Sequence, residues 1–284
     1  MASAPLPLSP APIKFGTDGW RGVLGVDITV ERLLRVAAAA AQELAHRAPS
    51  GLESRTVVIG YDRRFLAPEL AEAITAAVRG SELEALLTET PVPTPACSWA
   101  VVERRALGAL VITASHNPSE WLGLKIKGPF GGSVEGDFTA AVERRLAAAG
   151  ITPPIQGTFK RFDGRQDHLD GLRRKLDLTA LTDGLRSMNL KVIVDPMHGS
   201  AAGCVSELLN SSTDGLVEEI RSERDPLFGG HPPEPLAPYL CQLITAVKAS
   251  HAAGTPAVGL VFDGDGDRIA AVDETGRFCS TQLL

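Results

Sequence analysis

The stretch Thr56-Val-Val-Ile-Gly60 is short, apolar and rich in β-branched side chains. A run of this kind is typical of a strand that is buried on both faces of a sheet. Apolar residues at helical spacing predict a helix over residues 29–46 before it, and a second helix is predicted over residues 68–78 after it. A buried strand between two helices favours an α/β fold.

The same alternation continues on both sides of a proline-containing break at residues 150–157. Before the break, further strands are predicted at 84–87 and 109–113, and further helices at 95–104 and 134–149. After the break, the predicted elements are a helical stretch at 167–185, strands at 191–195 and 257–262, helices at 202–210 and 240–251, and a proline-rich loop at 225–238. The sequence therefore predicts an α/β protein of two consecutive domains, each a mixed β-sheet layered with α-helices.

The break and the composition of the ends set the predicted domain limits. Residues 13–152 are expected to form the first domain and residues 153–280 the second. Residues 1–12 are rich in Pro and Ala, and we expect them to be a disordered tail. A length of 284 residues agrees with two domains.

Composition excludes several classes of function. The 28 basic and 34 acidic side chains give a formal charge of −6, and no long basic run indicates a nucleic-acid partner. The four cysteines lie far apart without a C-x-x-C pair, which argues against a zinc site or a disulfide scaffold and favours reduced thiols. No stretch approaches the roughly 18 apolar residues of a membrane span. We therefore expect a cytoplasmic protein without a membrane or nucleic-acid partner.

The segment Asp263-Gly-Asp-Gly-Asp-Arg268 follows a predicted strand and carries carboxylates at alternate positions. Glycines between them permit a bend that aims all three at one point, and three hard oxygen donors suit magnesium. An acidic surface turn is the alternative, but it would leave the mutual repulsion of the carboxylates unneutralised. A calcium EF-hand is excluded because its sixth position, here Arg268, requires Gly.

The segment Thr113-Ala-Ser-His-Asn-Pro118 follows another predicted strand and presents a positioned hydroxyl, Ser115. On turn chemistry alone, a structural hydroxyl is the more common interpretation. Glycines and two ammonium groups follow, Lys125 and Lys127, and this combination suits an anion. A solvated lysine turn remains the alternative.

A third glycine-punctuated segment is Lys14-Phe-Gly-Thr-Asp-Gly-Trp-Arg-Gly22. Arg21 is a candidate for bidentate contact with a phosphate, whereas Trp20 is predicted to pack in a core. His198 and His231 have no partners at metal or catalytic spacing, and we interpret both as structural.

Taken together and in this order, the three segments resemble the α-D-phosphohexomutase superfamily, which includes the phosphoglucomutases and phosphomannomutases. The segment at 15–22 resembles the family's opening loop, the segment at 113–118 its phosphoserine loop, and the segment at 263–268 its metal loop. The resemblance extends from about Ile13 onward and implies the first two of the family's four domains. Residues 281–284 would then begin the third.

The resemblance also implies roles for individual residues. Ser115 would carry the phosphoryl group, and it would bind Mg²⁺ together with Asp263, Asp265 and Asp267. The implied proton-transfer candidates are His116 and Lys125. Positive charge and phosphate contacts would come from a further set of side chains, namely Arg21, Asn117, Lys125 and Arg268.

The implied activity is interconversion of hexose 1-phosphate and hexose 6-phosphate, with a hexose 1,6-bisphosphate as activator and intermediate. Glucose and mannose phosphates are the expected substrates, and the oligomeric state is left open. Two alternatives remain: a catalytically incomplete remnant that acts as a binding module, and a metal-dependent sugar phosphatase.

Overall fold

A computed structural model describes residues 9–148, 159–209 and 215–280. The chain divides into two compact units by its internal contacts. The first contains the described residues of Met1–Ala114 and Glu120–Gly164, and the second those of Ser115–Ser119 and Arg165–Leu284. Within the described ranges, no helix combines the length and the apolar character needed to cross a membrane.

The first unit is a mixed sheet with helices. Its strands are β1 (Trp20–Val23), β2 (Thr56–Tyr61), β3 (Glu84–Thr88), β4 (Gly108–Ile112), β5 (Trp121–Lys127) and β6 (Phe159–Phe162). Its helices are α1 (Val30–His46), α2 (Ala67–Gly80), α3 (Thr94–Glu103) and α4 (Gly136–Ala148). The strand order is β1-β5-β4-β2-β3-β6. The last four of these strands run parallel, while β5 is antiparallel to both of its neighbours.

The second unit repeats this plan on a smaller sheet. Its helices are α5 (Gly164–Lys175), α6 (Leu178–Ser187), α7 (Cys204–Leu208) and α8 (Cys241–Ala252). Its strands are β7 (Lys191–Asp195), β8 (Val217–Glu219), β9 (Ala257–Phe262), β10 (Ile269–Val272) and β11 (Phe278–Cys279), in the order β11-β10-β9-β7-β8. Strand β7 is parallel to β8 and β9, and the remaining pairs are antiparallel. The predicted fold class, two mixed sheets with helices, is confirmed.

Helix α1 shows why the predicted periodicity becomes a core. The Thr29 hydroxyl accepts a hydrogen bond from the amide of Arg32 and caps the first turn. One face of the helix, including Leu33, Val36 and Leu44, is buried, and α1 packs against α2 and α4. Strand β2 lies in the middle of the sheet and is buried from its second residue onward, as its apolar sequence predicted.

Some elements differ from the prediction. The helical stretch at 167–185 is two helices, α5 and α6, because the Asp177 carboxylate accepts a hydrogen bond from the amide of Ala180 and starts a new helix. Strands β1, β5 and β6 were not predicted. Glycine or charged residues interrupt their apolar patterns, as Lys125 does in β5 and Lys160 in β6.

The ends of the two compact units can be set beside the predicted domain limits. The predicted break at 150–157 and residues 281–284 lie outside the described residues. Beyond the break, β6 still pairs with β3, so the first unit extends past the predicted limit at residue 152 to Gly164. Residues 1–8 of the predicted tail also lie outside the described ranges, but the backbone of Ala11 is bonded to Asp27 and Arg32.

A buried polar network joins the ends of β2 and β4. The segment 113–118, called the serine loop below, begins at the end of β4. Arg64 and Asp62 are fully buried, and Nε of Arg64 lies 3.2 Å from Oδ2 of Asp62. The Thr113 hydroxyl donates to the same oxygen at 2.6 Å, and Nη1 of Arg64 donates to the carbonyl of Trp121. These hydrogen bonds satisfy the buried charges of Asp62 and Arg64, which would be costly to bury alone. They also fix Thr113, the first residue of the segment that contains Ser115.

Glu43 connects α1 to α4. Its carboxylate accepts hydrogen bonds from Arg47 on its own helix and from Arg145 on α4, each at 2.6 Å. Burial by itself would raise the pKa of Glu43, but the hydrogen bonds from Arg145 and Arg47 outweigh it and hold the pKa below its usual value. A lowered carboxyl pKa stabilises the fold above the ordinary value of 4.5, and this contribution is lost as the pH falls through the folded-state pKa.

We predict that Glu43→Gln lowers the free energy of unfolding by about 1–3 kcal/mol at pH 7, because two arginines lose their shared counter-charge. The difference from wild type should shrink as the pH is lowered, as measured by urea unfolding monitored with circular dichroism. Glu31→Gln is the control. Glu31 lies on the same helix with 80% of its side chain exposed, and it should change stability by less than about 0.5 kcal/mol. A pH-independent difference would contradict this assignment.

Candidate active site

The loop after β9 brings three carboxylates together. Asp263, Asp265 and Asp267 each offer an oxygen atom, and these atoms lie within 4.8 Å of one another. The first two side chains are buried and the third is exposed. The convergence predicted from alternate positions in the sequence is therefore present in the second unit.

Ser115 lies beside the first of these carboxylates. Its hydroxyl donates a hydrogen bond to Oδ2 of Asp263 at 2.8 Å, and the residue is 2% exposed. The backbone of Ser115 has a φ of 53°, in the left-handed region that non-glycine residues rarely adopt. A strained conformation of this kind persists only where the surroundings impose it, and such residues are concentrated at functional sites.

Gly264 allows the serine loop to come this close. A Cβ atom at this position would lie 2.5 Å from the carbonyl oxygen of Ser115, which is closer than any side chain permits. The glycine is therefore required by contact with the serine backbone, in addition to the bend that the sequence suggested.

Arg268 completes the cluster and opposes its negative charge. Its Nε and Nη2 atoms lie 3.1 and 2.9 Å from Oδ2 of Asp263, and Nη2 also lies 3.2 Å from the Ser115 hydroxyl. The other oxygen of Asp263, Oδ1, accepts hydrogen bonds from the backbone amides of Asp267 and Arg268. One carboxylate thus orients the serine, the arginine and the loop backbone.

Negative charge at this point is still in excess. Burial, followed by the charges of Asp265 and Asp267, raises the pKa of Asp263 to about 7, although Arg268 and the Ser115 hydroxyl oppose the shift. The carboxyl group therefore tends to keep a proton near neutral pH unless further positive charge is supplied. Three convergent carboxylate oxygens are ligands suited to a small hard cation. The donor chemistry and the charge of these residues both fit a divalent cation such as Mg²⁺.

The other predicted residues of the serine loop lie in the same unit. Nε2 of His116 lies 3.6 Å from Oε1 of Glu234, and both side chains are partly exposed. Asn117 is half-buried. Glu234 belongs to the proline-rich loop and was not singled out from the sequence, because a single acidic residue between prolines carries no motif.

Arg21 and Lys125 both lie near the carboxylate of Asp18 in the first unit. Asp18 belongs to the glycine-punctuated segment 14–22, but no role was predicted for it from the sequence. Lys125 is 1% exposed and its Nζ lies 2.6 Å from Oδ2 of Asp18. Nη2 of Arg21 lies 3.5 Å from the same oxygen. Ser133 donates to the other Asp18 oxygen and accepts from Lys127 at 2.9 Å. The lysines of β5 are therefore built into a charge cluster rather than forming a solvated turn.

The residues predicted to be structural can also be located. Trp20 is 3% exposed in β1, with the guanidinium of Arg32 5.6 Å from its ring centre. His198 is buried, and its Nδ1 lies 3.2 Å from the carbonyl of Glu223. His231 is exposed and its ring lies 6.1 Å from that of Tyr239.

Comparison with known families matches both units. Residues 12–150 match the model of phosphoglucomutase/phosphomannomutase, alpha/beta/alpha domain I. Residues 166–276 match the model of domain II of the same family. The two matches follow each other in the order expected for one chain and cover most of its length.

Individual relatives agree with these matches. The chain is 35% identical over 268 residues to the phosphoglucosamine mutase of Cereibacter sphaeroides, covering 93% of this chain and 56% of the relative. It is 31% identical over 275 residues to the probable phosphoglucosamine mutase of Methanosphaera stadtmanae, covering 96% and 57%. The crystal structure of a putative phosphomannomutase from Thermus thermophilus superposes with a TM-score of 0.80 at 32% identity, covering 95% of this chain and 59% of that one.

The chain therefore spans just over half the length of the curated relatives it matches. The two sheets, the order of the matched domains and these similarities agree with one another. The chain belongs to the phosphoglucomutase/phosphomannomutase family, of which it contains α/β/α domains I and II.

Proposed function

We propose that this chain contains the phosphoserine and metal-binding part of a phosphohexomutase that interconverts hexose 1-phosphate and hexose 6-phosphate. The observation that carries the proposal is the hydrogen bond of 2.8 Å from the Ser115 hydroxyl to Asp263, within the cluster of three carboxylates and Arg268. A serine phosphorylated at this point would have its negative charge next to a cation site and a guanidinium. Phosphoryl transfer depends mainly on such positioning and charge neutralisation.

Asp263, Asp265 and Asp267 are the residues that would hold Mg²⁺, together with an oxygen of phosphorylated Ser115. A bound Mg²⁺ would neutralise charge on the phosphoryl oxygens and lower the electrostatic barrier to attack. Burial, followed by the charges of Asp265 and Asp267, raises the pKa of Asp263, and a divalent cation would offset both effects by stabilising the ionised carboxylate. This supports the assignment.

The chemistry at Ser115 has two matched halves. In one, a sugar hydroxyl oxygen attacks the phosphorus, the bond from phosphorus to Oγ breaks, the sugar hydroxyl proton passes to a base, and the released Oγ takes up a proton. In the other, Oγ of Ser115 attacks one phosphorus of the hexose bisphosphate and gives up its proton, the bond from that phosphorus to the sugar oxygen breaks, and the released sugar oxygen takes up a proton. Arg268, with Nη2 3.2 Å from Oγ, stabilises negative charge that develops on this oxygen in either direction.

The remaining roles follow the family resemblance. We assign proton transfer at the sugar hydroxyls to His116 and Lys125, and phosphate contacts to Arg21, Asn117, Lys125 and Arg268. Glu234, 3.6 Å from His116, would orient the imidazole.

The substrate is proposed to be a hexose phosphate, with a hexose 1,6-bisphosphate as the compound that primes the serine. The sequence led us to expect glucose or mannose phosphate. The two relatives at 35% and 31% identity are named phosphoglucosamine mutases, and this favours glucosamine phosphate as the first substrate to test.

The proposed transfer can be tested directly at Ser115. Incubation of the chain with glucose 1,6-bisphosphate and Mg²⁺ should add one phosphoryl group to the intact mass, and peptide mapping should locate it on this serine. Ser115→Ala should abolish the uptake, because it removes the only atom that the phosphoryl group is proposed to join.

Ser119→Ala, in the same loop, is the control and should take up phosphate like the wild type. Labelling of folded Ser115→Ala would show that the nucleophile is a different residue. Release of inorganic phosphate without a phosphorylated protein or an isomerised sugar would instead favour the sugar phosphatase, and a folded wild type that takes up nothing would favour the binding module.

The metal assignment predicts that Asp265→Asn lowers stability relative to wild type when Mg²⁺ is bound but not when Mg²⁺ is absent. Wild type should be stabilised by about 2.7 kcal/mol when Mg²⁺ is at roughly 100 times its Kd. Asp265→Asn should lose most of this stabilisation because a ligand charge is removed. Without Mg²⁺ its Tm should equal or exceed that of wild type, because repulsion among the carboxylates is reduced.

Differential scanning calorimetry with Mg²⁺ or EDTA measures both effects. Asp183→Asn is the control, since Asp183 is an exposed residue of α6 that is not one of the three clustered carboxylates, and it should retain the full Mg²⁺ response. An unchanged Mg²⁺ response in Asp265→Asn would remove this carboxylate from the site.

A further inference from the structure

The turn after β7, residues 195–200, lies against the loop that carries the three carboxylates. Strands β7 and β9 are parallel neighbours, with Asp195 opposite Val261, so their carboxyl ends meet at the same edge of the sheet. The peptide of Gly199 is in close contact with the carboxylate loop: a Cβ atom at Gly199 would lie 2.7 Å from the carbonyl oxygen of Gly264. The two segments therefore form one packed unit of backbone.

Ser200 makes the specific contact between them. Both its amide and its hydroxyl donate to the carbonyl oxygen of Gly264, at 3.0 and 3.2 Å, and the residue is 1% exposed. On the other side, the amide of Gly264 donates to the carbonyl of Pro233 at 3.2 Å. The two peptide groups that join Asp263 to Asp265 are thus each fixed by a hydrogen bond from outside the loop.

Fixing these peptide groups fixes the directions of two carboxylates. The amide of Gly264 belongs to the peptide after Asp263, and its carbonyl belongs to the peptide before Asp265. Rotation of either peptide group would turn the adjoining side chain away from the point where the three carboxylates converge. A ligand set that must match a cation closely is sensitive to such rotations.

The turn itself is held firmly enough to serve as a support. The buried carboxylate of Asp195 accepts a hydrogen bond from the backbone amide of Met197 at 3.0 Å and forms a salt bridge with the guanidinium of Arg221. The amide of His198 donates to the carbonyl of Arg221 at 2.8 Å. Met197 and His198 both have positive φ, a strained conformation that only a well-determined environment maintains.

The Ser200 hydroxyl is not needed to satisfy the backbone. The carbonyl oxygen of Gly264 already accepts a hydrogen bond from the backbone amide of Ser200. Loss of the Ser200 hydroxyl therefore leaves this buried acceptor with a partner. What the second bond adds is a restriction on the orientation of the peptide group, because two donors define its direction better than one.

We infer that Ser200 is a positioning residue for the cation site: through Gly264 its hydroxyl holds the carboxylates of Asp263 and Asp265 in the orientation that binds a divalent cation. The inference rests on the proposed function of the carboxylate cluster. It gives the β7 turn a role in metal affinity that is separate from its role in the fold.

The test uses Mn²⁺ as a probe whose electron paramagnetic resonance spectrum reports both affinity and the symmetry of the site. Ser200→Ala should weaken Mn²⁺ binding on the order of tenfold, as expected for loss of a group that orients a ligand, and should broaden or shift the spectrum of the bound ion. Ser250→Ala is the matched control. Its hydroxyl also donates to a backbone carbonyl of the same unit, that of Thr255, and this variant should bind Mn²⁺ like the wild type.

The possible results separate the two proposals. If wild type binds no Mn²⁺, the metal assignment is wrong and the role of Ser200 falls with it. If wild type binds Mn²⁺ and folded Ser200→Ala shows the same affinity and spectrum as Ser250→Ala, the metal site stands and the role of Ser200 is overturned.

A measurement on the wild type covers the case in which Ser200→Ala does not fold. Amide hydrogen exchange measured by NMR should show slower exchange at Ser200 when Mg²⁺ is added, because its bond to Gly264 becomes part of a more rigid loop. The amide of Ala253, which donates a hydrogen bond to the carbonyl of Ala249 at the C-terminal end of α8, should exchange at the same rate with and without Mg²⁺. Unchanged exchange at Ser200 in protein that binds Mg²⁺ would overturn the inference.

Discussion

The burial of like charges at the end of β9 is the constraint on which the site depends. Asp263 and Asp265 have no solvent exposure, and a third carboxylate lies within reach of both. Such an arrangement is unfavourable unless hydrogen bonds and positive charge surround it. The serine hydroxyl, the Arg268 guanidinium, the loop amides and the proposed cation all meet this one requirement. Much of the geometry described above follows from it.

The elements could be predicted wherever one physical signal dominated. Helix α1 and strand β9 have uninterrupted apolar patterns, and both were predicted to within a residue or two. Strand β5 was missed because Lys125 and Lys127 break its pattern, and the contacts that compensate these buried charges include Asp18 and Ser133. Long-range compensation of this kind cannot be recognised in a local stretch of sequence.

The same limit applies to the site. The three aspartates could be predicted because they are close together in sequence, and the convergence of their carboxylates follows from local geometry. The contact from Ser115 to Asp263 spans 148 residues, and only the resemblance to a known family connected them. Ser200 and Gly264 are linked through a backbone oxygen, which any residue type possesses, so their contact leaves no mark in composition or spacing.

Ser115–Ser119 make their contacts with the second unit, although the segments before and after them belong to the first. During synthesis at about 5–20 residues per second, Ser115 therefore emerges roughly 7–30 s before Asp263 exists to accept its hydroxyl. The contacts that surround the left-handed backbone of this serine are incomplete before then. Until that moment the nascent chain carries the serine without the carboxylate and the guanidinium that contact it, so the proposed phosphoryl transfer would have to wait until the carboxylate loop has been synthesised and has folded. The order of these segments in the chain thus sets the earliest time at which the proposed site can form.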